Sequence, residues 1–303
     1  MASVRSNFLF FMPARSSRRD RWPQGKCMAS GIGTAKIRRP VAVVTGGSEG
    51  IGLAIAKRLA RKGGMVLIVG RRQEALAQAA AEIAAGAGGS VATLALDITS
   101  PRAAEVIERQ IEELDGYLEL LVNNAGVGQC GAFTESDTDT LEHLIALNVA
   151  AVARLMRHFL PGLCARKGGG ILNIASLGGY VPGPYQAAYY ASKAFVISLS
   201  EAVAFEVRHH NVKVAVLSPG PVATRFHARM GAEGALYRWV LPTASADTIA
   251  RWALWSYQLG LRSLTPGMLN VPLPILLRFL PHRLVIPLVA LLLRPRRRET
   301  TNA

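Results

Sequence analysis

The chain has few cysteines, and they lie far apart. Its 303 residues include only Cys27, Cys130 and Cys164. An odd number of cysteines, without a Cys-x-x-Cys pair or any other metal-type spacing, argues against a disulfide framework and against a metal site. The sequence therefore predicts a protein of a reducing, cytoplasmic compartment that binds no metal.

Acidic side chains are also scarce. The chain has 20 Asp and Glu residues against 35 Lys and Arg residues, which gives a formal net charge of +15 at pH 7. Residues 1–40 carry nine basic side chains and one acidic one, and residues 264–303 carry six arginines and one glutamate. A nucleic-acid reader would carry its basic face on the folded body. This distribution argues against a nucleic-acid partner and favours basic tails that contact anionic lipid, act in targeting or aid solubility.

Long hydrophobic runs are missing as well. Near the C-terminus the longest uncharged runs are 264–277 and 284–293, and neither reaches the ~18 apolar residues expected of a membrane span. Together with the prolines and arginines around them, these runs favour a C-terminal extension, 263–303, that lies on a membrane surface. Packing of the extension within an oligomer is the competing interpretation.

The N-terminal segment, 1–40, is basic and predicted to be disordered. Its apolar run at 8–12 is too short for the core of a signal peptide. Residues 1–27 are rich in Arg and Ser and resemble an organellar transit segment. Alternatively, translation starts at Met28, where the opening Met-Ala-Ser recurs.

From residue 41 onwards, short β-branched runs alternate with helical stretches. Strands are predicted over 41–44, 66–69, 92–96, 120–122, 171–174 and 212–217, and helices over 51–61, 74–85, 102–114, 141–163 and 187–207. Such alternation is the signature of a doubly wound parallel sheet with helices on both faces. We therefore expect a single α/β domain of the Rossmann type over 41–262.

The turn between the first strand and the first helix has the composition of a phosphate-binding loop. It reads Thr-Gly-Gly-Ser-Glu-Gly-Ile-Gly. Gly46 permits the tight turn, Gly50 lets the backbone approach a pyrophosphate, and Gly52 lets helix and strand pack closely. Because the helix N-terminus offers free N–H groups to phosphates, Ser48 and Ile51 are also predicted to contact a dinucleotide.

The residue that discriminates between ribose groups lies about 20 residues further on, after the second strand. An NAD site has an acid there, whereas this chain has Arg71 and Arg72. A guanidinium fits a 2′-phosphate, so the sequence favours NADP(H) over NAD(H). Arginines that merely face solvent are the alternative, and the charge of Glu49 in the turn counts against a nearby phosphate.

Tyr189 and Lys193 are four residues apart in a predicted helix, which places both on one face. A neighbouring cation stabilises a tyrosinate and lowers the phenol pKa, so such a tyrosine can exchange a proton with a carbonyl or alcohol near neutral pH. Ser176, at the end of a predicted strand, could hold the substrate oxygen. Tyr185 and Tyr190 are rival phenols, but only Tyr189 has the required offset from the lysine.

Together these motifs closely resemble the short-chain dehydrogenase/reductase family, in the same order and spacing, over about residues 41–262. Around Lys193 and Pro219 the sequence looks like a bacterial branch with a Leu/Pro/Arg-rich C-terminal extension. The resemblance implies that Asp97 bonds the adenine and that Asn148 orders a water near the lysine. It also implies that further residues line the cofactor: Asn124, Ala125, Gly126, Pro219, Gly220, Val222 and Thr224.

The resemblance also implies a mechanism. NADPH gives a hydride to a carbonyl carbon while Tyr189 protonates the oxygen. Lys193 bonds the nicotinamide ribose and depresses the pKa of Tyr189. Ser176 orients the carbonyl, and Asn148 supports a proton-relay water.

The substrate is less well defined by the sequence. The region 224–241 is apolar, with Phe226, Met230 and Trp239 among others. In the family this region closes over the substrate, so we expect a lipophilic ketone or alcohol, although simple core packing explains the composition equally well.

Two other functions remain open. A nucleotide-sugar epimerase also uses Tyr-x-x-x-Lys, but usually has a Gly-x-x-Gly-x-x-Gly turn and a larger substrate domain. A non-catalytic NADP(H)-binding protein of the membrane surface is the second, and the complete Ser/Tyr/Lys set argues against it. By analogy with the family, a homo-oligomer is expected.

Overall fold

Seven parallel strands form one sheet in the order β3-β2-β1-β4-β5-β6-β7. The computed structural model describes residues 38–86, 89–232, 237, 243–267 and 280–294. Most of the N-terminal segment 1–40 and much of the extension 263–303 lie outside the described residues. The strands are β1 Arg39–Thr45, β2 Met65–Gly70, β3 Val91–Ala95, β4 Gly116–Asn123, β5 Gly170–Ile174, β6 Lys213–Leu217 and β7 Ser263–Leu264.

Helices cover both faces of this sheet. In the described part of the chain they are α1 Gly50–Arg61, α2 Gln73–Ala85, α3 Ala103–Glu113, α4 Thr138–Ile145, α5 Val152–Arg166, α6 Ala187–Glu206, α7 Phe226–Arg229, α8 Ala246–Leu259 and α9 His282–Leu293. One apolar core lies between the sheet and α3, α5 and α6, and a second lies between the sheet and α1, α2 and α8. The predicted doubly wound α/β fold is confirmed.

The helix predicted over 141–163 begins earlier and is interrupted. Its start is set by Asp137, whose Oδ2 accepts a hydrogen bond from Thr140 N at 2.8 Å, and not by the first apolar residue. A π-helical turn, Ala146–Ala151, separates α4 from α5. The combined helix, Thr138–Arg166, is long and apolar enough to cross a membrane by composition alone. Leu144, Leu155 and neighbouring side chains are instead buried in the core.

The helix α8 and the short strand β7 were not predicted. Ser245 caps α8, because its Oγ accepts a hydrogen bond from Thr248 N at 3.1 Å. The helix packs beside α1, where Arg58 and Asp247 form an ion pair at 2.6 Å. The extension also contributes to the fold, because α9 packs its Val285 and Leu293 against the body.

The strand order places a crevice at one edge of the sheet. β1 and β4 are neighbours, and the chain leaves them in opposite directions across the sheet. In open α/β sheets, ligands bind at the carboxyl ends of the strands where the order reverses in this way. The segments that follow β1, β4 and β5 therefore meet at this crevice.

Candidate active site

The glycine turn after β1 has the geometry of a phosphate cradle. Gly46 and Gly50 have φ of +63° and +56°, a region that favours glycine. A Cβ on Gly52 would lie closer than 3.0 Å to Gly46 O and Asn124 Nδ2, so this position has no room for a side chain. The Ile51 side chain packs against the core. Its backbone N–H lies in the first turn of α1, where N–H groups have no partner within the helix and can bind a ligand.

Thr45 and Asn124 hold this turn in place. The Asn124 amide donates to Thr45 O at 3.0 Å and to Gly46 O at 3.1 Å. The Thr45 hydroxyl accepts hydrogen bonds from Asn124 N at 3.0 Å and Ala125 N at 3.1 Å, and donates to Val122 O at 3.2 Å. The Asn124 side chain is thus committed to the backbone of the turn. Thr45 was not among the predicted site residues, although it directly precedes the first glycine.

Glu49 does not leave an unpaired negative charge in the turn. Arg229 of α7 donates to both of its carboxylate oxygens, with Nη2 at 2.7 Å from Oε2, and Arg72 Nη2 lies 3.8 Å from the same oxygen. The hydrogen bond from Arg229 outweighs burial and lowers the pKa of Glu49. The charge that counted against a nearby phosphate is therefore compensated, and Arg229 is a residue that the sequence did not point to.

Arg71 directly follows β2, at the edge of the sheet where the crevice lies. Its guanidinium is exposed, with Nη1 at 3.5 Å from His143 Nε2 on α4. Arg71 lies close enough to Asp97 for its charge to affect the pKa of that carboxyl group. Burial raises the pKa of Asp97, but hydrogen bonds from Thr99 and the charge of Arg71 outweigh burial, so the pKa is lowered. Ser48 Oγ faces Gly70, the last residue of β2, so it borders the same region.

Ser176, Tyr189 and Lys193 come together as predicted. Lys193 is 6% exposed, and its Nζ donates to Ile174 O at 3.1 Å and lies 5.8 Å from the centre of the Tyr189 ring. Tyr189 lies close enough to Ser176 for hydrogen bonding between their side chains to act on its pKa. The Ser176 hydroxyl also accepts from Gly178 N at 3.2 Å, which fixes its orientation at the end of β5. A phenol, a hydroxyl and an ammonium thus converge on one point.

Burial dominates the ionisation of this cluster. It raises the pKa of Tyr189 to about 12, although the hydrogen bond with Ser176 acts in the opposite direction. It also lowers the pKa of Lys193 to about 8. The pKa of Tyr189 therefore lies above its ordinary value, in spite of the neighbouring Lys193, and not below it as the sequence led us to expect.

This burial leads to a pH dependence of stability. Between about pH 8 and pH 10 the folded chain has released the Lys193 proton, while the unfolded chain still holds it. Stability should therefore rise with pH in this window, and above pH 10 the raised pKa of Tyr189 reverses the trend. We expect the free energy of unfolding of the wild type, minus that of Lys193→Met, to rise by up to about 2 kcal/mol in urea titrations without added nucleotide. A constant difference would show that Lys193 is not desolvated.

Asn148 lies beside the lysine, within the π-helical turn. Its Oδ1 accepts a hydrogen bond from Val127 N at 2.9 Å, and its Nδ2 donates to Val127 O at 2.8 Å and to Ser192 Oγ at 3.1 Å. Gly126 separates it from Lys193, because a Cβ there would lie 3.1 Å from Asn148 Oδ1 and 3.5 Å from Lys193 Nζ. Asn148 therefore joins the strand end after β4 to α6, the helix that carries Tyr189 and Lys193.

The segment after β6 contacts both the loop after Ser176 and the glycine turn, and so borders the crevice. Pro219 O accepts a hydrogen bond from Leu177 N at 2.9 Å, which ties the segment at Gly220 to the loop that follows Ser176. Val222 is buried and pairs with Ala244. The Thr224 side chain approaches Gly50, since a Cβ on that glycine would lie 3.3 Å from Thr224 Cγ2. The segment predicted to lie along the cofactor thus reaches the glycine turn.

Next to Tyr189 lies an apolar cluster that we call the substrate-side cluster. Phe226 of α7 has its ring centre 5.5 Å from that of Tyr189. Helix α9 contributes three of its side chains to the same cluster. Its members in the described residues are Cys130, Tyr189, Tyr190, Phe226, Met230, Ala232, Tyr237, Val289, Leu292 and Leu293. Trp239 and the other apolar residues predicted over 238–241 lie outside the described residues.

Comparison with known proteins agrees with this geometry. Residues 40–234 match the short chain dehydrogenase family. The very-long-chain 3-oxoacyl-CoA reductase of Mycosarcoma maydis is 39% identical over 182 residues, which cover 58% of this chain and 51% of that protein. The chain thus spans about half the length of this relative.

Two solved structures are similar to the fold. A short-chain dehydrogenase from Sphingobium yanoikuyae in complex with NADPH matches with a TM-score of 0.69 and 30% identity, over 76% of this chain and 88% of that one. L-Sorbose reductase from Gluconobacter frateurii, complexed with NADPH and L-sorbose, matches with a TM-score of 0.69 and 29% identity, over 77% and 97% of the two chains.

Proposed function

The chain belongs to the short-chain dehydrogenase/reductase family, an oxidoreductase family acting on carbonyl and hydroxyl groups, and on that premise we propose that it reduces a lipophilic ketone or aldehyde with NADPH. The observation that carries this proposal is the convergence of Ser176, Tyr189 and Lys193 beside the glycine turn. The same edge of the sheet thus offers a dinucleotide cradle and a proton donor.

The residues present fit a dinucleotide. Among the described residues, a Cβ on Gly50 would meet only Thr224 within 4 Å, so the backbone of the turn has room for a pyrophosphate, which the first N–H groups of α1 can bind. When bound, NADPH supplies the hydride. Tyr189 holds the proton that passes to the carbonyl oxygen, and Ser176 orients that oxygen by hydrogen bonding. Lys193 would hold the nicotinamide ribose, and its charge would stabilise the tyrosinate that remains.

NADPH oxidation by the purified chain tests the reaction. The panel includes long-chain 3-oxoacyl thioesters, quinones, steroid-like ketones and a ketose. Apolar carbonyl compounds should be reduced faster, because the substrate-side cluster packs against Tyr189 and offers little to hydrogen-bond a sugar. The Mycosarcoma relative is named for a long-chain substrate, whereas the Gluconobacter structure contains a polar one. Preference for the ketose would contradict the lipophilic class.

Arg71 is proposed to select NADPH. Its exposed guanidinium acts on the charge of Asp97, and it directly follows Gly70, which Ser48 Oγ approaches, while Arg72 is directed towards Glu49. Arg71→Asp should weaken NADPH binding by roughly 100-fold, because a carboxylate replaces a charge-assisted hydrogen bond to the 2′-phosphate. NADH binding should change much less. Titration of nucleotide fluorescence measures both dissociation constants.

The matched control is Arg109→Asp, which makes the same charge change at an exposed position of α3. It should leave the NADPH/NADH ratio unchanged. Equal dissociation constants for the two nucleotides in the wild type would show that Arg71 does not face the ribose. A homo-oligomer remains a prediction that sizing chromatography of the full chain would test.

A further inference from the structure

Helix α9 has one face directed into the substrate-side cluster. Val285 is 3% exposed and Leu293 is 2% exposed. Val289 and Leu292 pack on the same cluster, which also contains Tyr189. The helix is therefore a wall of the substrate side, held there by apolar contacts.

The opposite face of α9 is apolar and directed to solvent. Leu284, Leu288 and Leu291 are 67%, 60% and 58% exposed. With the exposed Pro287 they occupy positions i, i+3, i+4 and i+7, so they form one continuous stripe along the helix. We call these three leucines the leucine stripe. Three exposed leucines in one row on a short helix form a contiguous apolar patch rather than singly scattered apolar residues.

Positive charge frames the leucine stripe. Arg283 lies at the start of α9 and Arg294 directly follows its end, and both are exposed. The helix contains no acidic residue, and the sequence continues with arginines at 296–298. Cationic residues bordering an apolar face match the chemistry of an anionic lipid surface, whose headgroups attract Arg while the acyl chains receive Leu.

A second copy of the chain fits this surface less well. A 12-residue helix is about 18 Å long, so the stripe offers roughly 200 Å² to a partner, well below the ~800 Å² per subunit of a stable interface. Two copies would also bring like-charged arginines together. The same length is too short for the ~30 Å hydrocarbon core, so α9 would lie in the interface rather than cross it.

An apolar cavity opens next to the start of α9. It has a volume of about 560 Å³ and is lined by the loop 179–184, the first turns of α6 and His282. Tyr190 also lines it, and its ring centre lies 6.1 Å from that of Tyr189. The cavity therefore reaches from His282, at the start of α9, to Tyr190, the sequence neighbour of Tyr189.

We propose that α9 docks on an anionic membrane through the leucine stripe, and that lipophilic substrate passes from the bilayer through this cavity to Tyr189. The second clause rests on the proposed reductase function. Arg283 and Arg294 bind lipid headgroups, while the buried face of α9 stays packed on the protein. The chain is thus bound at the surface without a membrane-spanning segment from this helix.

Co-sedimentation of the full chain with phosphatidylcholine vesicles, with and without phosphatidylglycerol, tests the docking. The wild type should bind vesicles that contain phosphatidylglycerol. Leu284→Ser/Leu288→Ser/Leu291→Ser should lower its partition coefficient at least ~10-fold, because three side chains no longer enter the apolar layer. Arg283→Ser/Arg294→Ser should lower binding to the anionic vesicles only. An unchanged melting temperature would show that each variant is folded.

The matched control replaces three equally exposed apolar residues elsewhere. Phe133, Phe205 and Leu259 are 60%, 53% and 53% exposed and lie on other elements, so their change to Ser should not affect vesicle binding. Absence of wild-type binding to anionic vesicles would overturn the docking. A leucine-stripe variant that changes the oligomer size without lipid would also overturn it, and would assign the stripe to contact between copies.

Activity measurements test substrate delivery separately from membrane docking. Reduction of a long-chain ketone presented in anionic vesicles should fall at least ~10-fold in the leucine-stripe variant, whereas reduction of a short, water-soluble ketone should be unchanged. Equal rates on the vesicle-bound ketone would overturn delivery from the bilayer. If the wild type binds vesicles but reduces no carbonyl compound, docking stands and the proposed reductase function fails.

Discussion

Tyr189→Phe should lower kcat by about 10³-fold and leave the dissociation constant of NADPH within a few fold of the wild type. The phenol is the proton donor of the proposed reaction, and removal of a general acid typically costs 10²–10⁴ in rate. The ring itself still packs against Phe226, so the substrate-side cluster keeps its packing. Stopped-flow and steady-state NADPH oxidation with the substrate found in the panel give kcat, and fluorescence titration gives the binding constant.

Tyr190→Phe is the matched control for this variant. It removes the neighbouring phenol, whose pKa burial also raises, but that ring lies against Gly178 and Gly183 instead of Ser176. Its kcat should stay within a few fold of the wild type. The assignment fails if the two variants have similar rates, or if Tyr189→Phe turns over normally.

Gly52→Ala should abolish tight NADPH binding, with an increase of at least 100-fold in the dissociation constant. The new methyl group would lie closer than 3.0 Å to Gly46 O and Asn124 Nδ2, so it displaces the turn that we expect to hold the pyrophosphate. Overpacking of this kind also costs about 1–3 kcal/mol of stability. Isothermal calorimetry with NADPH, and urea unfolding without it, measure the two effects separately.

A glycine of another helix provides the comparison. Gly162 lies inside α5, and a Cβ there would meet nothing within 4 Å. Gly162→Ala should bind NADPH normally and be as stable as the wild type or more so, because alanine favours the helix by up to ~1 kcal/mol. If Gly52→Ala bound NADPH as tightly as the wild type, the turn would not be the pyrophosphate site.

The sequence predicted the parts of the site that depend on short-range spacing. The glycine turn, the strand ends and the pair Tyr189 and Lys193 follow from local periodicity and from offsets within single helices. Because parallel strands all end at one edge of the sheet, these local predictions were enough to bring Ser176 to the same place. The first and last residues of the elements were less well predicted, as Asp137 shows, since a cap is set by one side-chain hydrogen bond.

Contacts between distant parts of the chain could not be predicted in this way. Whether the Asn124 amide binds a ligand or the backbone of the turn depends on how β1 and β4 pair. The ion pair between Glu49 and Arg229 joins residues 180 positions apart, and its existence depends on where α7 lies on the folded body. The two faces of α9 are likewise decided by packing, since its sequence is apolar almost throughout.

The short helix α7 has a consequence for the catalytic cycle. Through Arg229 it holds the glycine turn, and through Phe226 it contacts the Tyr189 ring. A displacement of α7 would therefore loosen the glycine turn and the surroundings of the Tyr189 ring together. It would break an ion pair whose side chains are 51% and 37% exposed, and such pairs weaken as salt is added. We therefore expect a turnover rate that depends on ionic strength even when the carbonyl substrate carries no charge.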